Sequence, residues 1–243
     1  VTGVQTCALP IFVVTMGTTL DLGGPLPTIT APLDLRGDGG PVGPQASVLV
    51  GDGDQGILGL GPGATGSAIQ GLGFDAFDRA AIDVQADGVS LTSLGVAGPQ
   101  GPGSTFVRVT EAHGVLVQNL DARSDVATVV EAFDGDHDAG AQVTLRGVRH
   151  AGLGAAPSVL AGAGTDILVE DSVIARVGTT NHGPSRLTVV NTTVTVPAGT
   201  GGGAAEIQDG VLVLEDAELH GASSALRIVG VLRSEEHTSE LQS

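Results

Sequence analysis

VLVQNLDA, residues 115–122, is one copy of a phrase that returns along the whole chain. The other copies are SAIQGLGF from Ser67, VSLTSLGV from Val89, VTLRGVRH from Val143, ILVEDSVI from Ile167, LTVVNTTV from Leu187 and LVLEDAEL from Leu212. Their starts lie 22, 26, 28, 24, 20 and 25 residues apart. That spacing suits one turn of a β-solenoid and is too irregular for a heptad or a helical-hairpin array.

Each place in the phrase has a physical reason. The third residue is Ile69, Leu91, Val117, Leu145, Val169, Val189 or Leu214, always aliphatic. The fifth is Gly71, Ser93, Asn119, Gly147, Asp171, Asn191 or Asp216, all residues that tolerate turn or left-handed backbone. Apolar residues mostly return at the sixth and eighth places, as in Leu72 and Phe74 or Leu120 and Ala122. Period-two alternation marks a strand with one buried face. Its interruption at the turn-former is what a chain needs to bend and continue facing the same core. The phrase therefore predicts strand, bend, strand.

Between copies lie AAIDV at 80–84, TFVRV at 105–109, TVVEAF at 128–133, SVLA at 158–161 and AEIQ at 205–208, which predict a further strand per coil. One coil cannot stabilise itself, because fixing its backbone costs more than its few inward aliphatics return. Stacked coils recover the difference through parallel ladders and shared apolar burial. Asn119 and Asn191, at the same bend, are expected to bond to backbone along the stack. The competing fold, a β-sandwich, predicts hairpin turns at shorter and more regular intervals.

The phrase resembles the repeats of the right-handed parallel β-helix in the pectin-lyase-like superfamily, which read "I-x-G-L-x-F", as at 69–74, or "V-x-N-x-x-V", as at 189–194. Upstream, LDLGGPLPTITAPLDLRGDGG at 20–40 is similar to the lead-in of bacterial secreted β-helix repeat proteins, "LP-x-I-T-x-P-L-x-I-x-G". The resemblance covers roughly residues 18–232. It implies an all-β fold, a right-handed single-stranded parallel β-helix of about 7 to 9 coils, and an extracellular or cell-surface location. In the lead-in Leu33, Leu35 and Gly37 echo the phrase, but Asp38 stands where an apolar residue belongs.

The two ends read differently. Arg233–Ser243, RSEEHTSELQS, back-translates to one strand of a widely used sequencing adapter, and Val1–Ile11, VTGVQTCALPI, to the reverse complement, with Phe12 supplying the T-initial codon that follows. Residues 1–11 and 233–243 are accordingly expected to be adapter-derived, and 12–232 to be a β-helix fragment truncated at both ends. Cys7, the only cysteine, then falls outside the fragment, leaving no disulfide, thiol metal site or cysteine nucleophile. Unpaired parallel edges at the cuts predict self-association.

Composition narrows the partners. The chain carries 10 Lys+Arg against 27 Asp+Glu, a formal charge of −17, with no lysine at all. Such acidity, with no basic run, argues against nucleic acid and anionic membranes as partners. No apolar run approaches the roughly 20 residues of a membrane helix.

Candidate chemistry is sparse. In FDGDHDAG, 133–140, Asp134, Asp136 and Asp138 alternate as oxygen ligands do in calcium loops, making calcium the one candidate cofactor. The EF-hand pattern fails, since Leu145 stands where its glutamate is required. Asp52 and Asp54 are a weaker copy. His113, His137, His182 and His220 are scattered over different coils, while His150 occupies a usually apolar eighth place, as a packing residue or a general base in a cleft. NHGPSR at 181–186 is faintly similar to a polygalacturonase loop, without the aspartates that family needs. GLGPGATG at 59–66 lacks the lysine of a phosphate loop and reads as an inter-coil loop. The Glu170–Asp171 and Glu215–Asp216 pairs read as solvated corners. With no complete catalytic motif, the expected function is a surface scaffold for adhesion or carbohydrate binding, its partner a polysaccharide or cell-surface component. The alternative is a polysaccharide lyase or glycoside hydrolase, implied by fold resemblance alone.

Overall fold

A computed structural model describes residues 11–228 apart from 16, 42, 44, 54–55, 99, 102, 124–125, 136–139, 153–155, 181–182, 197–199, 201 and 222–223. Residues 1–10 and 233–243, the bulk of the two adapter-like segments, lie outside the described residues, as do Asp54, Asp136, His137, Asp138 and His182.

The chain is an all-β solenoid of about eight turns, built as three parallel sheets of nine, nine and eight strands. Successive turns visit the sheets, here faces A, B and C, in the same order, the first turn meeting face C through a single bridge at Ile29. Face A carries the first half of the phrase, for example Val115–Gln118 and Gln142–Arg146; face B carries its second half, such as Leu72–Asp75 and Arg149–His150. Face C holds the intervening segments Ala80–Val84, Thr105–Thr110, Thr128–Phe133, Val159–Ala161 and Gly203–Ile207. Parallel pairing throughout excludes the sandwich, which needs antiparallel hairpins.

The sequence register is the structural register. Third-place residues pair in an unbroken row, Ile69 with Leu91, Leu91 with Val117, Val117 with Leu145, and on through Val169 and Val189 to Leu214. All seven fifth-place residues adopt left-handed backbone, from φ 70° at Gly71 to 45° at Asn191. This turns each N–H forward along the stack, so that the amide of Asn119 donates to the carbonyl of Arg146 at 2.9 Å and that of Asn191 to Glu215 at 2.9 Å. The side chain of Asn191 departs from expectation: its Nδ2 donates to Asp171 Oδ1 at 2.6 Å, a side chain in place of backbone.

Two coils depart from the pattern. Leu35 pairs with Ile69 as the repeat requires, but Gly37 is not left-handed. Asp38 is exposed, so it cannot fill the inward sixth place; Ser47, fully buried, takes that place opposite Leu72. The face C strands Leu58–Leu60 and Val177–Thr179 were not legible, being only three residues long and holding a glycine each. Leu58–Leu60 also takes the first residues of GLGPGATG, whose remainder makes a single 3-10 turn at Pro62–Ala64.

The core runs the length of the axis. Toward the first coils it is aromatic, with Phe74 and Phe106 edge-to-face at 5.5 Å and Phe77 tilted against Phe106 at 6.1 Å. Further along it includes hydroxyls: Ser172 and Thr192 occupy sixth places and are buried. Ser172 Oγ donates to Glu170 O and accepts from the Val148 amide, while Thr192 Oγ1 donates to Val190 O and accepts from the Ser172 amide. A hydroxyl thus replaces an aliphatic without leaving a buried group unsatisfied.

Candidate binding groove on the third sheet

On the central face C strands a single residue between inward aliphatics points outward, as Asp83, Arg108 and Glu131 do. The registers place Gly59, Asp83, Arg108 and Glu131 side by side, then Leu160, Gly178, Glu206 and Arg227. Neighbouring strands lie about 4.8 Å apart, so the row is a rail of evenly spaced positions, with side chains at all but Gly59 and Gly178. Ahead of it, the parallel bridge between Ile29 and Leu60 brings Thr28 alongside Gly59.

The centre of the rail is charged with alternating sign. Arg108 donates from Nε and Nη2 to Glu131 Oε2, both at 3.3 Å, and its guanidinium lies 5.8 Å from the ring centroid of Phe133. Asp83 lies one strand away. Burial pushes its carboxyl above the ordinary range, and the positive charge of Arg108 pulls it part of the way back. Its Oδ1 is sealed from solvent and has no hydrogen-bond partner.

Two openings flank this charged centre. One, of about 230 Å³, is bordered by Thr28, Gly59, Arg79, Asp83 and Arg108. The other, of about 330 Å³, is walled by Ala132, Phe133, Leu160 and Ala163, with Glu131, Asp134 and Thr180 at its polar margin. A wider opening of about 570 Å³ lies over face B beside Val48, Asp75, Val96 and Asp121. Its chemistry is less poised, because Asp75 Oδ1 already accepts from the Ala76 amide and from Gln100 Nε2.

Of the candidate calcium ligands, Asp134 is buried at the corner between faces C and A, its carboxylate against Gly164 and its amide donating to Ala163 O. Asp136 and Asp138 lie outside the described residues; among those described, no cluster of three or more acids, histidines or cysteines converges on a metal position. His150 is a buried packing residue and borders none of the three openings described above. It is 2 % exposed, with Nδ1 2.7 Å from Ser158 Oγ and Nε2 2.9 Å from Val126 O. Ser158 Oγ also accepts the amide of Ala175 at 3.0 Å. The consistent arrangement is a neutral imidazole donating from Nε2 and accepting the serine proton at Nδ1. The serine is fully buried, which removes it as a nucleophile despite the short contact. His113 and His220 are exposed, the latter beside Glu218 at 3.3 Å. Glu170 is a cross-coil partner of Arg146, at 2.5 Å, on the outer surface of face A.

The groove residues were missed in sequence, although a signal existed. Aligning AAIDV, TFVRV and TVVEAF shows Asp, Arg and Glu at one place between aliphatics. The chain matches no known protein family, no curated protein and no solved structure.

Proposed function

We propose that this protein is a non-catalytic extracellular or cell-surface scaffold that binds an extended carbohydrate or surface polymer along face C. The observation that carries the reading is the Asp83–Arg108–Glu131 rail, in register and bracketed by two openings on one straight face. A straight row of polar groups repeating every ~4.8 Å offers contacts to a chain-like ligand at several points. Individually weak contacts then add through avidity. Retention on immobilised neutral and acidic polysaccharides tests this. Arg108→Ala and Glu131→Ala are each expected to reduce retention, and retention of both variants equal to that of the wild type would overturn the assignment of the face.

The enzymatic alternative has one observation in its favour: Asp83 is a desolvated carboxyl beside a cation in an opening, the setting of a general acid. Release of oligosaccharides from pectin, alginate or neutral glycans, lost in Asp83→Asn, would favour it. Calcium at Asp134, Asp136 and Asp138 stays within the proposal, and calcium-dependent cleavage lost in Asp136→Ala would displace the scaffold reading. Self-association is proposed as well, supported by exposed Phe12 and Val13 on the first strand and Val211 and Leu214 on the last strand of face A. Light scattering that gives a clean monomer counts against it.

A further inference from the structure

The opening at Gly59 is a gap in the rail. Thr28 and Asp83 stand on either side, the residue between them has no side chain, and about 230 Å³ is left above the strand. Two of the ten basic residues of a strongly acidic chain border this one space, Arg79 and Arg108. Three other arginines are matched, Arg36 with Asp34, Arg146 with Glu170 and Arg227 with Glu206, while Arg149 and Arg186 are exposed singly on other faces without an ion pair among the described residues. Arg79 is exposed and has no ion-pair partner among the described residues. Arg108 meets Glu131 through one oxygen at 3.3 Å, a long contact that leaves guanidinium donors for another acceptor.

We propose that the Gly59 gap binds an oxyanion, a carboxylate or sulfate on a small ligand, held by the guanidiniums of Arg79 and Arg108 and by the Thr28 hydroxyl. The proposal rests on the reading of face C as the binding face and names the chemistry of one subsite. Planar guanidiniums match the geometry of such anions, and charge-assisted bonds are the strong ones. Asp83 would oppose a bound anion if ionised. Its burial already favours the protonated acid, and a neighbouring negative charge favours it further, so that Asp83 becomes a donor to the ligand. Among the residues bordering the gap, only Arg79 and Arg108 carry charges toward Asp83, with Glu131 behind Arg108; Pro25, Leu26 and Thr28 and the strand Leu58–Leu60 contribute no titratable group. Binding therefore strengthens as pH falls.

The test uses the full chain with three probes, glucuronate, inorganic sulfate and neutral glucose, titrated calorimetrically across pH. Glucuronate is expected to bind one site and glucose not to bind. Arg79→Ala should weaken glucuronate at least about tenfold, the loss of one charge-assisted bond. Gly59→Val should do the same by filling the gap. The nearest atoms to a Cβ at Gly59 belong to Thr28, at an ordinary contact distance of 3.5 Å and beyond, and valine suits a strand, so the variant keeps its fold, checked by circular dichroism. Asp83→Asn should bind more tightly at neutral pH and lose the pH dependence. Sulfate binding as well as glucuronate assigns the site to a free oxyanion, and weaker sulfate binding to an anion borne on a sugar; both support the proposal. Glucose binding equal to glucuronate, wild-type protein taking neither anion at about 10 mM, or Arg79→Ala and Gly59→Val both binding normally would each overturn it. Polysaccharide retention that survives Gly59→Val while depending on Arg108 and Glu131 would sink this subsite and leave the proposed function standing.

Discussion

The two halves of the solenoid solve the same interior problem with different chemistry. In the earlier coils the sixth place is Leu72, Leu94, Leu120 and Val148, and the neighbouring corner holds Phe106, all essentially without solvent exposure. In the later coils the sixth place is Ser172 and Thr192, and Ser158, His150 and Arg176 are buried nearby. One backbone accommodates both because a stack offers each coil an identical neighbour. Apolar groups bury against the same place one turn on, and a hydroxyl finds a carbonyl or amide there. The difference teaches that the repeat demands a satisfied inward position, and that hydrophobicity is one way of meeting the demand.

The largest test breaks the part common to both halves. Val117→Asp puts an unpaired charge into the third-place row and is expected to abolish cooperative thermal unfolding, whereas Gln118→Asp, one residue along and facing outward, leaves it intact. Equal tolerance of the two would refute the register. Next, Phe106→Ala removes the centre of the aromatic cluster and should cost about 3–5 kcal/mol in denaturant melts. In the polar half Ser158→Ala leaves the His150 ring nitrogen and the Ala175 amide short of a partner, for about 1–3 kcal/mol. If Ser158→Ala proved neutral, the polar interior would be loosely packed, not hydrogen-bonded.

The smallest effect is a pH dependence with opposed signs. Asp83, raised above its ordinary 3.8, binds its proton more tightly folded than unfolded, so its effect is a loss of stability as pH rises from 3.8 through the folded value. Asp34, lowered by its bond to Arg36, contributes stability that is present above 3.8 and lost as pH falls through its folded value. Melting temperature against pH should therefore fall less steeply on its rising-pH side in Asp83→Asn and less steeply on its acid side in Asp34→Asn than in the wild type. Parallel curves for wild type and Asp83→Asn would remove the desolvated carboxyl from consideration.

Much of the fold was readable, and for a specific reason. A parallel stack translates sequence repetition directly into spatial neighbours, so aligning Val117 with Leu145 on paper also pairs them in space. The left-handed bends were readable at Gly71, Asn119 and Asp216 because only a few residue types tolerate that backbone. Short strands such as Val177–Thr179 were not, since three residues carry too little alternation. The candidate site was largely hidden. Asp134 and His150 drew attention as unusual residues, and the structure buries both. Asp83, Arg108 and Glu131 belong to no motif and are single polar residues within strands read only as strands.

The sequence alone determined that the chain is a stack of β coils, where each coil bends and which aliphatics share a row, because those properties depend on residue type and period. Only the tertiary structure decided that Thr28, from a lead-in segment, abuts Gly59, that Arg79 and Arg108 border the same gap, and that Asp83 loses its water there. Those facts depend on residues from four turns meeting on one face, and the solvation of a carboxyl is set by its neighbours in space, whatever its own strand contains.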